Sequence, residues 1–600
     1  SFKDTWNVDN AKSLPNTSIG FTTSQRLKFK NGGNLGFLFN LTQGTEYNYK
    51  EGNDNTFDTN GVYKNKLYKK EYNYNIQSTA LLGLSYKKQG TKVDLNATFL
   101  QNSFNQIQDY DGYRDNKDQD IMFFRTNQQD LSRLTDIQLL VSQKIGDRHQ
   151  LKAGGSWVNN WFQQPDRKTF YGFRTGDNQL LMSYGGNNLI RQYLDLSGVN
   201  YFSAMAEYQL NLGKKQEDNY YPVTVSAGYN GFADSRTMSY RFIYSTTTTG
   251  AQDIINIDSP DSSFATAHAN GNFQWQESAQ PNYKAFLYQF VNAGYTNINL
   301  KPNKSWDILA GVRAENNIGI TRYKEITDNI NGKFNSITKN QTYFLPSLSI
   351  KKALDNKSNL RFAISKTITR PILIETMPIQ YKNPDGNDIL GNHNIPNKSF
   401  GDNFKGLDNS QNYNFDLKYE IFPKSSEIFA INIFGKIVER AIERSLISSS
   451  NSNGTITTFF NAKQAKLAGV ELEGSFNLGR ISENLNKFNF GTNFTYIYSD
   501  VERSDAQKLE TNFNKKRGLQ GAAPWMLNAD LKYDFKNSKN LKRTASLVYN
   551  VSAEKIYAVG FGGLDHVYEQ PFHQLDFIFQ SELSKKVDVK LGIYNILNQT

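Results

Sequence analysis

The chain has 600 residues, with 68 Lys and Arg against 57 Asp and Glu, and a formal net charge of +11. It contains no cysteine, which excludes disulfides, thiol catalysis and iron–sulfur ligation, and it has no apolar run of the ~18 residues that a transmembrane helix needs. Its mean hydropathy is −0.62, yet aromatic residues make up 14% of it. This combination is typical of a β-barrel with an apolar outer face, a polar lumen and aromatic residues at the interfaces.

From residue 18 onward, long segments are joined alternately by a short turn and by a long polar connection. Short turns are predicted near 31–34, 87–92, 145–148, 213–219, 302–305, 354–358, 423–426, 479–485, 536–541 and 584–586. Long connections are predicted near 51–68, 108–127, 165–198, 245–282, 325–339, 372–406, 446–455, 503–520 and 557–567. This alternation is typical of a closed β-barrel that has short turns at one rim and long loops at the other.

The segments between these connections alternate with a period of two, as strands do. Between residues 413 and 419, for example, two Tyr, a Phe and a Leu alternate with Asn414, Asp416 and Lys418. The sequence therefore predicts an all-β fold, an antiparallel transmembrane β-barrel with about 20 complete strands in residues 18–597. We expect strands of 14–20 residues, with the apolar set facing lipid and the polar set lining the lumen.

The alternating direction of the strands predicts which parts of the barrel lie at the two ends of the chain. If the short turns are periplasmic, the segment at 18–30 runs downward, so residues 1–17 are expected to be the remnant of a first strand and its outer loop. The segment at 587–597 then runs upward and needs a downward partner. We therefore expect 22 strands in the full protein, of which the last is not in this chain.

An acidic cluster at residues 109–120 is a candidate calcium site, because hard cations prefer several carboxylate oxygens from one loop. The candidate ligands are Asp109, Asp111 and Asp115. The alternative is a solvated acidic loop, since Gly112 does not have the spacing of an EF-hand and Arg114 and Lys117 offset the charge. No other cofactor is expected.

Neither catalysis nor nucleic-acid binding is predicted. The five histidines form no metalloenzyme spacing, and no phosphate-binding glycine loop precedes a helix. Much of the lysine is scattered over the short turns, which favours a solvated rim over a stripe that binds nucleic acid. The chain is therefore not expected to be an enzyme.

Aromatic residues beside a cation, where a strand is predicted to end at the 165–198 connection, are candidates for ligand binding. Such rings stack on sugars, aromatic chelates or peptide rings. The candidates are Trp161, Phe162, Tyr171 and Arg174. The alternative is an aromatic girdle at the outer membrane interface.

Four motifs between residues 360 and 600 occur in an order that resembles TonB-dependent outer-membrane receptors of the Bacteroidetes type. They are Ile364–Pro371 with Glu375 and Pro378, Gly391–Pro396 followed by Asn409–Tyr413, Gly469–Glu473, and Ile593–Asn598. The second departs from the family pattern at His393 and by an insertion before Asn409. The first 350 residues resemble the family mainly in architecture.

This resemblance implies the barrel portion of a receptor in the bacterial cell outer membrane that takes up a scarce, bulky ligand, such as a siderophore, glycan, cobalamin or peptide. The implied partners are outer-membrane lipid, a surface lipoprotein, and the TonB system acting through a plug domain that is not in this chain. The alternative is a passive or structural barrel, namely a porin, an adhesin or a scaffold in a larger complex. A plug encoded upstream would exclude that alternative.

In receptors of this family, outer loops like the 372–406 connection form the ligand vestibule. The resemblance therefore adds further candidates for ligand binding. They are Glu375, Tyr381, Asp385, Asn387 and His393.

Overall fold

The fold was determined from a computed structural model. It describes residues 5–9, 11–57, 63–114, 121–185, 188–217, 219–278, 284–324, 331–377, 380–382, 388–392, 406–448, 455–507, 516–537, 540–584 and 587–599. Strands and helices are numbered in chain order as β1–β29, α1 and α2.

Twenty strands pair antiparallel with their neighbours, one after another, to form the wall of a barrel. These are β1 (Thr17–Lys28), β2 (Asn34–Phe57), β3 (Tyr63–Lys88), β4 (Thr91–Arg114), β5 (Met122–Ile145), β6 (His149–Gly176), β8 (Leu189–Leu212), β9 (Val223–Thr246), β12 (Lys284–Leu300), β13 (Trp306–Tyr323), β14 (Asn335–Ala353), β15 (Ser358–Thr369), β18 (Ser410–Ile421), β19 (Ile428–Glu439), β22 (Gln464–Asn477), β23 (Phe488–Glu502), β24 (Trp525–Lys536), β25 (Lys542–Ser552), β28 (Gln574–Ser584) and β29 (Val587–Ile593). The predicted antiparallel barrel is confirmed. Each of the ten predicted short turns falls between consecutive wall strands, with residues 218, 538–539 and 585–586 outside the described residues.

The remaining elements lie in the long connections. The strands are β7 (Gln179–Ser183), β10 (Gln252–Asn256), β11 (Gln274–Ser278), β16 (Gln380–Lys382), β17 (Asp388–Leu390), β20 (Ile442–Ser448), β21 (Thr455–Asn461), β26 (Lys555–Gly560) and β27 (Val567–Glu569). The helices are α1 (Asp261–Ala269), α2 (Leu373–Thr376) and three single 3-10 turns at Leu478–Arg480, Glu483–Leu485 and Asp505–Gln507. Among the described residues, no helix is long and apolar enough to cross a membrane.

The strands from β2 to β6 are longer than predicted, at 24 to 28 residues. Two predicted connections, 51–68 and 108–127, are therefore largely strand. Cross-strand contacts explain the extension, because directly opposed side chains stabilise a sheet. Tyr110 of β4 stacks on Phe124 of β5 with ring centroids 4.1 Å apart, and Arg125 pairs with Asp109 at 2.6 Å. Such long-range pairs carry no local sequence signal.

The strand register separates the lumen face from the outward face, because directly opposed residues share a face. Asp234 lies opposite Gln289, Gln289 opposite Gly319, and Gly319 opposite Lys339, and all of them line a cavity inside the barrel. On β14 the residues beside Lys339 in sequence therefore point outward. Applied from each strand to the next, the same rule shows which wall side chains point into the lumen and which point outward.

An apolar band occupies the outward face next to the short turns. On β14 the outward residues Phe344, Leu348 and Ile350 are apolar, whereas Thr338 and Thr342, nearer the long connections, are polar. On β2 the outward residues from Leu35 to Leu41 belong to the same band. On β3 the outward face stays largely apolar from Tyr86 to Ile76, which matches the ~9–11 strand residues needed to cross a hydrocarbon core, so the rest of each long strand extends beyond it.

The long connections form two packed structures at the far rim. One contains β7, β10, α1 and the N-terminal segment, and Trp6 is buried there against Phe170 and Phe264. The other is a six-stranded sheet, which we call the loop sheet, with the order β16-β17-β21-β20-β26-β27. Its strands come from three different connections, and it contains parallel pairings between β17 and β21 and between β20 and β26.

Glu71 illustrates how polar contacts hold the extended wall beyond the apolar band. Its carboxylate accepts hydrogen bonds from Asn73 Nδ2 at 2.8 Å and Gln108 Nε2 at 3.0 Å, and it pairs with Lys69 Nζ at 2.7 Å. Burial by itself raises the pKa of this carboxyl, but these partners outweigh burial and lower its pKa to about 2. The contact is therefore strongest with Glu71 ionised.

We expect acid to loosen the β3–β4 extension through Glu71. Because the folded-state pKa lies below the ordinary value of 4.5, the unfolded chain binds this proton more tightly, and the stabilisation disappears as the pH falls from 4.5 to about 2. Amide hydrogen exchange in residues 65–75, compared at pH 5 and pH 3, should accelerate less in Glu71→Gln than in the parent protein. The exposed Glu46→Gln on the lumen face of β2 is the control, and equal acid responses of both variants would exclude this role.

Candidate ligand site in the lumen

One connection folds back into the barrel and packs on its inner wall. This inner segment comprises residues 370–377, 380–382 and 388–392, and it includes α2 and the β16–β17 pair. Tyr381 is only 5% exposed and lies edge-on to Tyr240 of β9, with ring centroids 6.3 Å apart. Met377 is packed in the same apolar cluster. Full burial of each such side chain contributes about 1.5–3 kcal/mol, so the segment is firmly docked.

Hydrogen bonds fix the shape of the inner segment. The Glu375 carboxylate accepts the Ile372 N–H at 2.9 Å, and the Glu375 carbonyl accepts the Asn392 N–H at 2.6 Å. The Asn392 side-chain amide donates to the Phe459 carbonyl at 2.8 Å, which ties the segment to the loop sheet. Burial raises the pKa of Glu375 and lowers the pKa of Lys382, so both groups titrate closer to neutrality than in water.

A cavity of about 440 Å³ lies between the inner segment and the wall strands β8, β9, β12, β13 and β14. It is at the level where the outward face of β14 becomes polar, just beyond the apolar band. Its lining combines two aromatic rings with charged and amide side chains. The lining residues of these kinds are Tyr201, Phe232, Asp234, Arg236, Lys339, Arg370, Gln289, Asn317, Gln341, Asn392 and Asn409.

The charged side chains of the cavity are held by partners at its edge. Arg370 pairs with Glu315, which also receives Arg313 at 2.8 Å, and Arg236 donates to Asp234 at 2.9 Å. Lys339 reaches Asp408 at 3.5 Å, and burial lowers the pKa of Lys339.

Polar atoms without a partner remain beside these pairs. Among the described residues, Arg370 Nε, Asp234 Oδ1 and Asn392 Oδ1 are buried and have no hydrogen-bond partner. An unpaired buried polar atom costs about 1–3 kcal/mol, so a ligand that supplied both donors and acceptors would recover that cost.

The predicted ligand-binding residues are divided between the two faces of the wall. Glu375 and Tyr381 belong to the inner segment beside the cavity, and Phe162 packs against the same cluster as Tyr381. Tyr171 lies opposite Phe124 on the lumen face, higher on the wall. Trp161 points outward, where Arg133 lies 5.1 Å from its ring, which favours the aromatic-girdle alternative. Asp385, Asn387 and His393 lie outside the described residues.

The candidate calcium ligands face outward and are engaged by arginines. Asp109 pairs with Arg125 in a two-pronged contact at 2.6 and 2.7 Å, and Asp111 pairs with Arg174. Asp115 lies outside the described residues. Within the described part of the chain, no three acidic or histidine side chains gather closely enough to hold a metal ion. A calcium site here stays a prediction. A calcium ion would have to compete with Arg125 and Arg174 for the Asp109 and Asp111 carboxylates.

Sequence reasoning missed most of the cavity. Arg370 belongs to a family motif, and no pattern in the sequence marks Tyr201, Asp234 or Lys339 as site residues. These residues come from strands far apart in the chain, and each follows the ordinary alternation of its strand. Only the register brings them to one level of the lumen.

A single-chain antiparallel barrel with a lumen partly filled by its own connections defines a large transmembrane β-barrel protein. The model of the family described as "TonB dependent receptor-like, beta-barrel" matches residues 159–596. The chain therefore belongs to the TonB-dependent receptor-like β-barrel family. Members of this family are transport receptors of the outer membrane that bind ligands and interact with TonB.

Solved structures of uptake proteins share the fold. The ferric yersiniabactin uptake receptor FyuA from Yersinia pestis is 11% identical, with 98% of this chain and 76% of that chain covered and a TM-score of 0.55. The copper transporter OprC is 10% identical, with 97% and 74% covered and a TM-score of 0.53. The siderophore receptor PiuA from Acinetobacter baumannii is 10% identical, with 98% and 78% covered and a TM-score of 0.53. No curated protein sequence matches the chain significantly.

Proposed function

We propose that this chain is the barrel of an outer-membrane receptor of the Bacteroidetes type that takes up a scarce, bulky ligand with energy supplied through TonB. The observation that carries the proposal is the lumen cavity beneath the inner segment, with its aromatic rings and buried unpaired donors and acceptors. An open porin needs no binding cavity in its lumen, whereas a receptor must bind its ligand before it transports it. The proposal requires a plug domain acting with this barrel.

The cavity also supports a statement about the ligand. Arg370 and Arg236 lie near Tyr201 and Phe232, so the site suits a ligand that presents both a flat apolar surface and polar atoms. A siderophore chelate, a glycan, cobalamin and a peptide each combine these features. A surface lipoprotein that closes over the far rim is a further proposed partner.

The decisive experiment is uptake by the full open reading frame in host strains with and without TonB. Ferric siderophores, cobalamin, oligosaccharides and peptides serve as radiolabelled probes. We expect at least one probe class to accumulate only when TonB is present. Accumulation that is independent of TonB would favour the passive barrel, and a full reading frame without a plug would exclude energised uptake.

Arg370→Gln is expected to weaken binding of that probe by about tenfold or more, because a hydrogen bond to a charged group contributes about 1.5–3 kcal/mol. Equilibrium binding to the purified, detergent-solubilised protein measures the effect. Arg361→Gln is the matched control, since Arg361 lies lower on the lumen face of β15 and is engaged by Glu420 at 2.7 Å. Equal affinities of the two variants would place the ligand elsewhere.

A further inference from the structure

A ladder of tyrosines covers the outward face of the extended β2–β3 hairpin. This tyrosine ladder consists of Tyr47, Tyr49, Tyr68, Tyr72 and Tyr74. Tyr47 lies directly opposite Tyr74, with ring centroids 4.6 Å apart and planes inclined by 22°, and Tyr49 lies opposite Tyr72 at 5.0 Å. Tyr49 is 50% exposed and Tyr72 45% exposed. The rings therefore form an open platform.

The register places these rings on the outside of the barrel. Thr45 and Ile76 oppose each other at the upper end of the apolar band, where Ile76 is the last outward apolar residue of β3, and both strands continue from there to the tyrosine pairs without a bulge. Tyr49 is four residues beyond Thr45, and Tyr72 is four residues before Ile76. The Tyr47–Tyr74 pair lies between, two residues beyond the end of the band.

The height of the tyrosine ladder above the apolar band determines which lipid headgroups can contact it. Four residues span roughly 13 Å of strand, which at a tilt of 35–45° places the Tyr49–Tyr72 pair roughly 10 Å above the band. The headgroup region of a phospholipid bilayer extends only about 5–8 Å beyond the hydrocarbon core on each side. A phospholipid headgroup therefore ends below the Tyr49–Tyr72 pair, whereas an oligosaccharide headgroup is tall enough to lie against it.

The chemistry of the platform fits sugar rings. The face of an aromatic ring carries negative charge density, which attracts the polarised C–H groups on the flat side of a pyranose. Hydroxyls at the ring edges supply hydrogen bonds, and the Tyr49 hydroxyl already donates to Glu51 at 2.5 Å. Lys70 lies opposite Glu51 on the same face and offers a cation to an acidic sugar or a phosphate.

We propose that the tyrosine ladder binds the oligosaccharide headgroup of a glycolipid in the surrounding outer leaflet. The proposal rests on the outer-membrane placement in the proposed function, but it concerns the outside of the barrel and is independent of the lumen cavity. The ladder thereby anchors the long β2–β3 hairpin in the sugar layer of the membrane.

The test uses the 600-residue chain reconstituted into phospholipid nanodiscs that contain lipopolysaccharide with a complete core or lipopolysaccharide truncated to its innermost sugars. Native mass spectrometry counts the glycolipid molecules retained per barrel. We expect preferential retention of the complete-core form, reduced about fivefold to tenfold by Tyr49→Ala/Tyr72→Ala, and largely kept by Tyr49→Phe/Tyr72→Phe. Thr338→Ala/Thr342→Ala, on the outward face of β14 beyond the apolar band, is the control and should retain the parent level.

Each other outcome overturns the proposal. Equal retention of complete and truncated forms by the parent protein would show that the sugars are not recognised, whether or not the variants fold. A lower unfolding temperature of the alanine variant with unchanged retention would assign the ladder to sheet stability alone. A change of oligomeric state in phospholipid-only discs would identify a second copy as the occupant. Failure of the chain to show heat-modifiable gel mobility would instead refute the barrel placement itself.

Discussion

Replacing Arg517 with alanine is expected to open the loop sheet. The Arg517 guanidinium donates to both oxygens of Glu443 at 2.7 and 2.8 Å, and the two side chains are 5% and 0% exposed. Removing one partner leaves a buried charge uncompensated, which costs about 3–5 kcal/mol. Hydrogen exchange of the amides in β20 and β26 should accelerate about 10²- to 10⁴-fold, because every 1.4 kcal/mol is a factor of ten.

Two companion variants make this expectation specific. Lys463→Ala removes an ion pair at the same rim whose partners, Lys463 and Glu502, are 67% and 56% exposed, so we expect little change in the exchange of the same amides. Glu443→Gln in combination with Arg517→Met removes both charges and should restore most of the protection. If Arg517→Ala and Lys463→Ala had the same effect, the buried pair would not be what holds the loop sheet.

The second large effect is expected on the outward face of the barrel. Ile433 of β19 is 50% exposed and lies opposite Leu417 of β18 and Val470 of β22, near the middle of the apolar band. An arginine at the midplane of a lipid-facing surface destabilises a barrel by about 2–4 kcal/mol. Urea unfolding of Ile433→Arg in phospholipid vesicles should show a loss of this size.

The neighbouring residue provides the control. Asn432 points into the lumen, where its amide donates to Glu471 at 3.1 Å, so an arginine there meets water and a carboxylate. We expect Asn432→Arg to change stability by less than about 1 kcal/mol. A neutral Ile433→Arg, or equal costs for both substitutions, would contradict the assignment of the apolar band to lipid.

Strand rhythm and turn chemistry were readable from the sequence because both are local. The turn at 145–148 contains Gly146, which adopts φ 61° in the structure, a conformation that favours glycine. The alternation of 413–419 likewise gave the correct faces, with Tyr413 exposed on the outside and Asn414 directed inward. Both signals need only a few consecutive residues.

The length of the strands could not be predicted from the sequence. Polar runs such as Asp109–Arg114 look like loop composition, yet they form the end of β4 because Arg125 and Arg174 neutralise their carboxylates. Tyr47 and Tyr49 lie in a predicted strand, but their partners Tyr74 and Tyr72 are found only through the register. In each case the stabilising partner is on another strand.

The sequence by itself determined the class of fold, the positions of the tight turns, the two faces of each strand and the connection that carries part of the candidate site. Glu375 and Tyr381 were predicted there, and both lie in the inner segment. The tertiary structure alone decided that this segment packs into the lumen, that Trp161 and Arg174 face away from it, and that Arg370, Asp234 and Lys339 meet around one cavity. The physical reason is that alternation is a property of one strand, whereas a cavity depends on the register of many.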